Sequence, residues 1–171
     1  NFIGDRVQGD QPVFNSECGN VWGYSGSTGD VDWSWDYHLM MNEFRSHPKV
    51  CGWLYTEHHD VINEWNGYYR FDRTEKYTGL DGLVQHMTIN DLHSNIYIAP
   101  AGPICRQVKP LDIIQLPLFA SLMTGSDLGS NLTLRAALYG WDQLGNFKRY
   151  SSSSQCIPYQ PWLAKELQPI E

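Results

Sequence analysis

A strand, a helix and a second strand follow one another between residues 12 and 55, and this order limits the fold more than any other feature of the sequence. "PVFNSE" (12–17) is a short apolar run opened by a proline and closed by Glu17, of strand length. Residues 18–32 are rich in Gly, Ser and Asp, which predicts a loop. Tyr37, Met40, Met41 and Phe44 then recur at i, i+3, i+4 and i+7, one apolar stripe of a helix. Asp32 or Ser34 would cap its start and Pro48 would end it. "VCGWLY" (50–55) is the second strand. Strands joined by a crossover helix lie parallel. In barrels built from such units the active site lies at the carboxyl ends of the strands. Here those ends are Glu17 and "YTEHHD" (55–60), on one side of the sheet.

Residues 61–94 mix polar and aromatic side chains irregularly and predict a loop-rich connector with short helical turns, "DGLVQHM" among them. From about residue 95 the pattern turns to β. "NIYIAP", "ICRQV", "DIIQLPLFASLMT" and "NLTLRAALYGW" are β-type runs separated by Gly, Pro, Asp and Ser, the spacing of an antiparallel sandwich. Leu132, Leu134, Ala136 and Leu138 alternate with Thr133, Arg135 and Ala137, as in a half-buried strand. The tail, "SSSSQCIPYQPWLAKELQPIE", reads as loop without a closing strand, leaving four or five strands where such a sandwich has about seven. Asn131–Thr133 fits the glycosylation acceptor pattern, but a plain strand position is the preferred reading.

The balance of residues narrows the function classes. With 42 % hydrophobic and 18 % charged residues the chain is globular. A net charge of −7, with scattered acidic groups, argues against a nucleic-acid partner, which calls for a basic stripe. No apolar run is long enough for a membrane span, and no signal-like segment opens the sequence, which starts without a methionine. A mature form, a domain and a fragment all fit that start. Cys18, Cys51, Cys105 and Cys156 are far apart and form no CxxC, so free, mostly buried thiols are expected rather than zinc ligands. Aromatic residues reach 13 %; their faces suit sugar rings as well as protein cores, and packing accounts for most of them.

"PVFNSECGN", then a helix ending "EFRSHPKV", then "CGWLYTEHHD" resembles the end of the catalytic barrel of glycoside hydrolase family 2, the β-galactosidase and β-glucuronidase family. The resemblance implies an α/β part followed by an all-β part: the terminal βαβ portion of a (β/α)8 barrel over residues 1–80, a connector over 81–94, and an incomplete antiparallel, immunoglobulin-like β-sandwich over 95–171. It implies that Glu17, ending the seventh barrel strand, is the nucleophile of a retaining β-glycosidase. The family's acid/base glutamate follows an earlier strand, usually as an Asn-Glu pair, and lies outside these residues. The pair Asn42–Glu43 falls within the helix and reads as its solvated face. A barrel needs eight strands and about 250 residues. The expectation is therefore a fragment, inactive alone, whose partners are a carbohydrate substrate and the rest of its barrel. Family habit places the parent outside the cytoplasm of a bacterium, secreted or periplasmic. No cofactor is implied.

Around Glu17, the small residues Ser16, Cys18 and Gly19 would let a sugar ring approach. The plainer alternative has Glu17 capping a helix or joining a surface ion pair. Tyr55, Trp22, Tyr24 and His59 are the candidate sugar contacts. Tyr55 shares a strand face with Trp53, a core candidate, so one of the two roles is in question. Trp22 and Tyr24 could equally pack under their loop. Glu57, His58, His59 and Asp60 lack metal-ligand spacing, and neighbouring strand residues point to opposite faces. They are expected to hydrogen-bond across the barrel mouth. A second function class also fits: a complete, non-catalytic module binding carbohydrate or protein through its aromatic residues.

Overall fold

The computed structural model describes residues 4–19, 35–62 and 64–171. The chain divides into two compact units, Asn1–Ser94 and Asn95–Glu171.

The first unit is built on the strand–helix–strand order. β1 (Val13–Cys18) and β2 (Val50–Tyr55) pair in parallel, with α1 (Asp36–Ser46) between them. The helix stops at Ser46 and His47 is extended at ψ 109°, as the residue before Pro48 must be. The proposed caps Asp32 and Ser34 lie outside the described residues. The apolar stripe packs on one face of the sheet: Phe44 stacks on Trp53 at 5.5 Å, and Tyr37 meets Tyr55 edge-on at 5.3 Å. Tyr37, Met41 and Arg45 are buried at i, i+4 and i+8, so the packed face is rotated toward Arg45. Arg45 donates to the Leu92 carbonyl at 2.9 Å and lies 5.1 Å from the Trp53 ring centre. This rotation corrects the expectation for Asn42, which is buried beside Met41; Glu43 stays exposed, 3.5 Å from His47.

Two short helices follow, α2 (Leu80–Leu83) and α3 (Ile89–Leu92), the latter opened by a Thr88–Asp91 capping box. Leu80 and Leu92 are fully buried, and the second supplies the carbonyl that Arg45 binds. Residues 81–94 fall within the first compact unit.

The second unit contains only strands among its regular elements. β3 (Ile96–Pro100), β4 (Leu116–Leu122) and β7 (Leu163–Ile170) form an antiparallel sheet in the order β3–β4–β7. β5 (Asn131–Trp141) and β6 (Phe147–Pro158) form a separate antiparallel hairpin. The loop-like tail is corrected here: it holds most of β6 and all of β7. The serine run pairs with Leu138–Arg135 of β5, so strand pairing overrides the low β propensity of serine. Pro169 is accommodated because β7 is an edge strand. "ICRQV" is not a strand; residues 104–108 run irregularly between Pro103 and Pro110. The alternation in β5 holds for Leu132, Leu134 and Ala136, whereas Leu138 is exposed. All four cysteines are free, but Cys51, Cys105 and Cys156 are exposed rather than buried. Among the described residues, no helix is long and apolar enough to cross a membrane.

Candidate functional site at the carboxyl ends of the parallel strands

Glu17 lies one residue before the end of β1, where the register with β2 slips. Asn15 pairs with Trp53 and Cys18 with Tyr55, so three steps along β1 match two along β2. Ser16 and Glu17 therefore occupy a bulge, a device that re-aims side chains at barrel rims and active sites. Glu17 is exposed, and among the described residues its carboxylate has neither an ion-pair nor a hydrogen-bond partner. Neither a helix cap nor a surface ion pair accounts for it there.

Its small neighbours have their own local causes. The Cys18 thiol donates to the Leu54 carbonyl at 3.2 Å, and burial pushes its pKa up. At Gly19 a Cβ would stand 2.9 Å from the Thr56 carbonyl oxygen, so the chain crosses β2 where only glycine passes without a shift. The Thr56 amide donates to the Cys18 carbonyl at 2.8 Å and ties the two strand ends together.

Tyr55 sits on the helix-facing side of β2 with Trp53. Its ring stacks on Tyr68 at 4.6 Å and its hydroxyl donates to the Asn66 carbonyl at 2.6 Å. Both rings of the uncertain pair are thus packed in the aromatic layer. The Tyr37 hydroxyl, inside that layer, lies 2.6 Å from both the Tyr68 hydroxyl and His93 Nε2. Burial, with the neighbouring tyrosines, drives the Tyr37 pKa far up, and burial pushes Tyr68 up to about 12. Burial and the Arg45 charge hold His93 below the usual histidine range, so its neutral ring can accept a proton from one hydroxyl. Among the described residues, the opposite face of the sheet is uncovered. Gly52 and Phe14 lie side by side there, and Phe14 and Leu54 are 52 % and 57 % exposed.

Beyond β2 the segment from Glu57 folds back along itself. The Thr56–Glu57 peptide is cis. His59 bridges to Tyr69, and its ring stands 5.9 Å from that of His58. Burial, reinforced by Glu64, raises the Glu57 carboxyl pKa. Asp60, expected at the site mouth, is instead a structural anchor. Its Oδ1 accepts from Lys76 Nζ at 2.6 Å and from the Gly67 amide at 2.9 Å, with the Lys76 and Asp60 side chains 0 % and 1 % exposed. Lys76 also donates to the Trp65 carbonyl at 2.8 Å. Glu57 Oε1, His59 Nδ1, Asp60 Oδ2 and Trp65 Nε1 are buried without a hydrogen-bond partner among the described residues. No group of three or more His, Cys, Asp or Glu among the described residues is placed to hold a metal ion.

Of the sequence-derived candidates, Glu17 and Tyr55 lie at adjoining strand ends, and His59 lies on the returning segment. Trp22 and Tyr24 fall outside the described residues. Sequence reasoning missed Tyr37, Tyr68, His93 and Lys76 as polar partners. Tyr37 carried a signal only as a helix-stripe residue, and the others lie in a stretch without periodicity. No family model, no curated protein and no solved structure matches this chain.

Proposed function

We propose that this chain is the carboxyl-terminal part of a retaining β-glycosidase of the family 2 type, with Glu17 as the nucleophile. The observation that carries the proposal is the bulge at the end of a parallel strand, which presents a carboxylate with no described partner beside the end of the next strand. In such an enzyme Glu17 attacks the anomeric carbon and the leaving oxygen takes a proton from a second carboxylic acid. Water then cleaves the covalent glycosyl ester with that second group as base. The two carboxyl groups stand about 5–5.5 Å apart. The acid and six further strands are supplied from outside these 171 residues. The face with Phe14, Gly52 and Leu54 is then the barrel interior, filled by side chains of the other strands. His59 borders the sugar site, Tyr55 supports it from the helix side, and the second unit belongs to an immunoglobulin-like sandwich.

The test uses the full polypeptide as it occurs in its source and a panel of 2-deoxy-2-fluoro-β-glycosyl fluorides. The expected result is one covalent label on the peptide containing Glu17. Glu17→Gln should lower kcat by on the order of 10⁴-fold or more, the scale of nucleophile loss in other hydrolases. Undiminished turnover in that variant, or a label on a different carboxylate, would refute the assignment.

A further inference from the structure

The tip of the β5–β6 hairpin carries a group of rings that packing does not explain. Tyr139, Trp141 and Phe147 gather on one face, with Phe147 stacked 5.6 Å from Tyr139 and tilted 5.1 Å from Trp141. Trp141 is 72 % and Phe147 59 % exposed. On the other face Gly140 leaves room for Tyr150, whose ring would lie 3.2 Å from any Cβ placed there, and Lys148 Nζ stands 5.1 Å from the ring centre. A cleft of about 430 Å³ opens at this tip, lined by Trp141, Asp142, Gln143, Leu144, Lys148 and Tyr150.

The turn that shapes the cleft is firmly held. Asp142 Oδ1 accepts from the Leu144 and Asn146 amides at 2.9 and 3.0 Å. Gly145 takes the positive φ of 79° that the reversal requires. These bonds and the nearby Lys148 hold the Asp142 carboxyl below the usual carboxylate range. Its Oδ2 is only loosely engaged, 3.3 Å from Asn146 Nδ2 and 3.6 Å from Lys148 Nζ. The cleft thus presents an ionised acceptor, an amide that can donate and accept, and an ammonium donor, next to an exposed indole.

We infer that this cleft is a binding site for a pyranose unit of a neutral oligosaccharide. The apolar C–H face of the sugar lies on Trp141, and its hydroxyls exchange hydrogen bonds with Asp142 Oδ2, Gln143 and Lys148. Each hydroxyl both donates and accepts, which suits this mixed set. A nucleic acid or an anionic membrane surface calls for a basic rim, whereas the charged groups here are one carboxylate and one ammonium. The site lies in the second unit and does not depend on Glu17.

The experiment is calorimetric titration of the 171-residue chain with cellohexaose, xylohexaose and β-1,4-galactohexaose. At least one should bind, and Trp141→Ala should weaken it about tenfold or more. Gln143→Ala should weaken it less. Melting curves check that these exposed substitutions keep the fold. Absence of binding to all three sugars at millimolar concentration would overturn the inference. So would equal binding by the wild type and Trp141→Ala. A dimer of the chain that Trp141→Ala dissociates would assign the rings to a second copy and overturn it as well.

Discussion

The Asp60–Lys76 pair makes a sharp test of how the first unit is held. Lys76→Met keeps the length of the side chain and removes the ammonium. Asp60 then keeps one donor, the Gly67 amide at 2.9 Å, and its Oδ2 already lacks a partner among the described residues. An exposed pair would contribute about 0–1 kcal/mol. With both side chains almost wholly buried, breaking the pair from one side leaves an uncompensated charge at a cost of about 3–5 kcal/mol. That is a large share of the about 5–15 kcal/mol that ordinarily holds a domain folded. Urea unfolding followed by tryptophan fluorescence should show the first unit's midpoint falling by about 2 M, at a slope of about 2 kcal/mol/M. Asp60→Leu/Lys76→Met should recover part of the loss. Full recovery is not expected, because the Gly67 amide and the Trp65 carbonyl each lose a partner. The reasoning fails if Lys76→Met costs less than about 1 kcal/mol, or if the two single losses simply add to the double.

Gly67→Ala should destabilise the first unit by about 2 kcal/mol or more, since its Cβ would stand 2.3 Å from the Asp60 amide nitrogen and must displace backbone; an unchanged urea midpoint would count against the fold-back. Acidification should also weaken this unit. His93 binds its proton less readily folded than unfolded, so its contribution is complete above the unfolded value of about 6.5 and is lost as pH falls below it. Tyr37, Tyr68 and Arg45 face the ring and offer no anion to stabilise a charged imidazole. The melting temperature should drop between pH 7 and pH 5, and less steeply in His93→Gln; parallel profiles would remove His93 from the cause.

What the sequence made legible is what local periodicity records. β2 spans the predicted residues 50–55, and β1 and α1 carry the predicted order, because alternation, stripe and Pro48 are local signals. β6 was illegible because a run of serines acquires strand structure only from its partner, here Arg135–Leu138 across a turn, and β7 because its partner β4 is remote in sequence. Asn42 was misjudged and Arg45 passed over for a related reason: burial of a polar residue depends on what packs against the helix, for Arg45 Leu92 and Trp53, both remote in sequence. Lys76 and Asp60 are sixteen positions apart in an aperiodic stretch, so no pattern could pair them.

The same distinction separates two causes that coincide around Glu17. Cys18 and Gly19 are small because the ends of β1 and β2 touch: a thiol reaches the Leu54 carbonyl, and a Cβ at residue 19 would press on Thr56. Those constraints would hold with any residue at position 17. The exposure of the carboxylate has a separate origin, the slip between Asn15 and Cys18, which restores the register lost between Val13 and Phe14. A bulge leaves a backbone group unpaired and interrupts the ladder. α1 already covers the other face with Phe44 and Tyr37, so the bulge does not serve that packing. A parallel sheet ordinarily has both faces covered, and here no described residue covers the face holding Phe14, Gly52 and Leu54. The bulge and the open face make joint sense if further strands complete the sheet around a ligand that must reach Glu17, which is why labelling of that residue discriminates more sharply than any stability measurement.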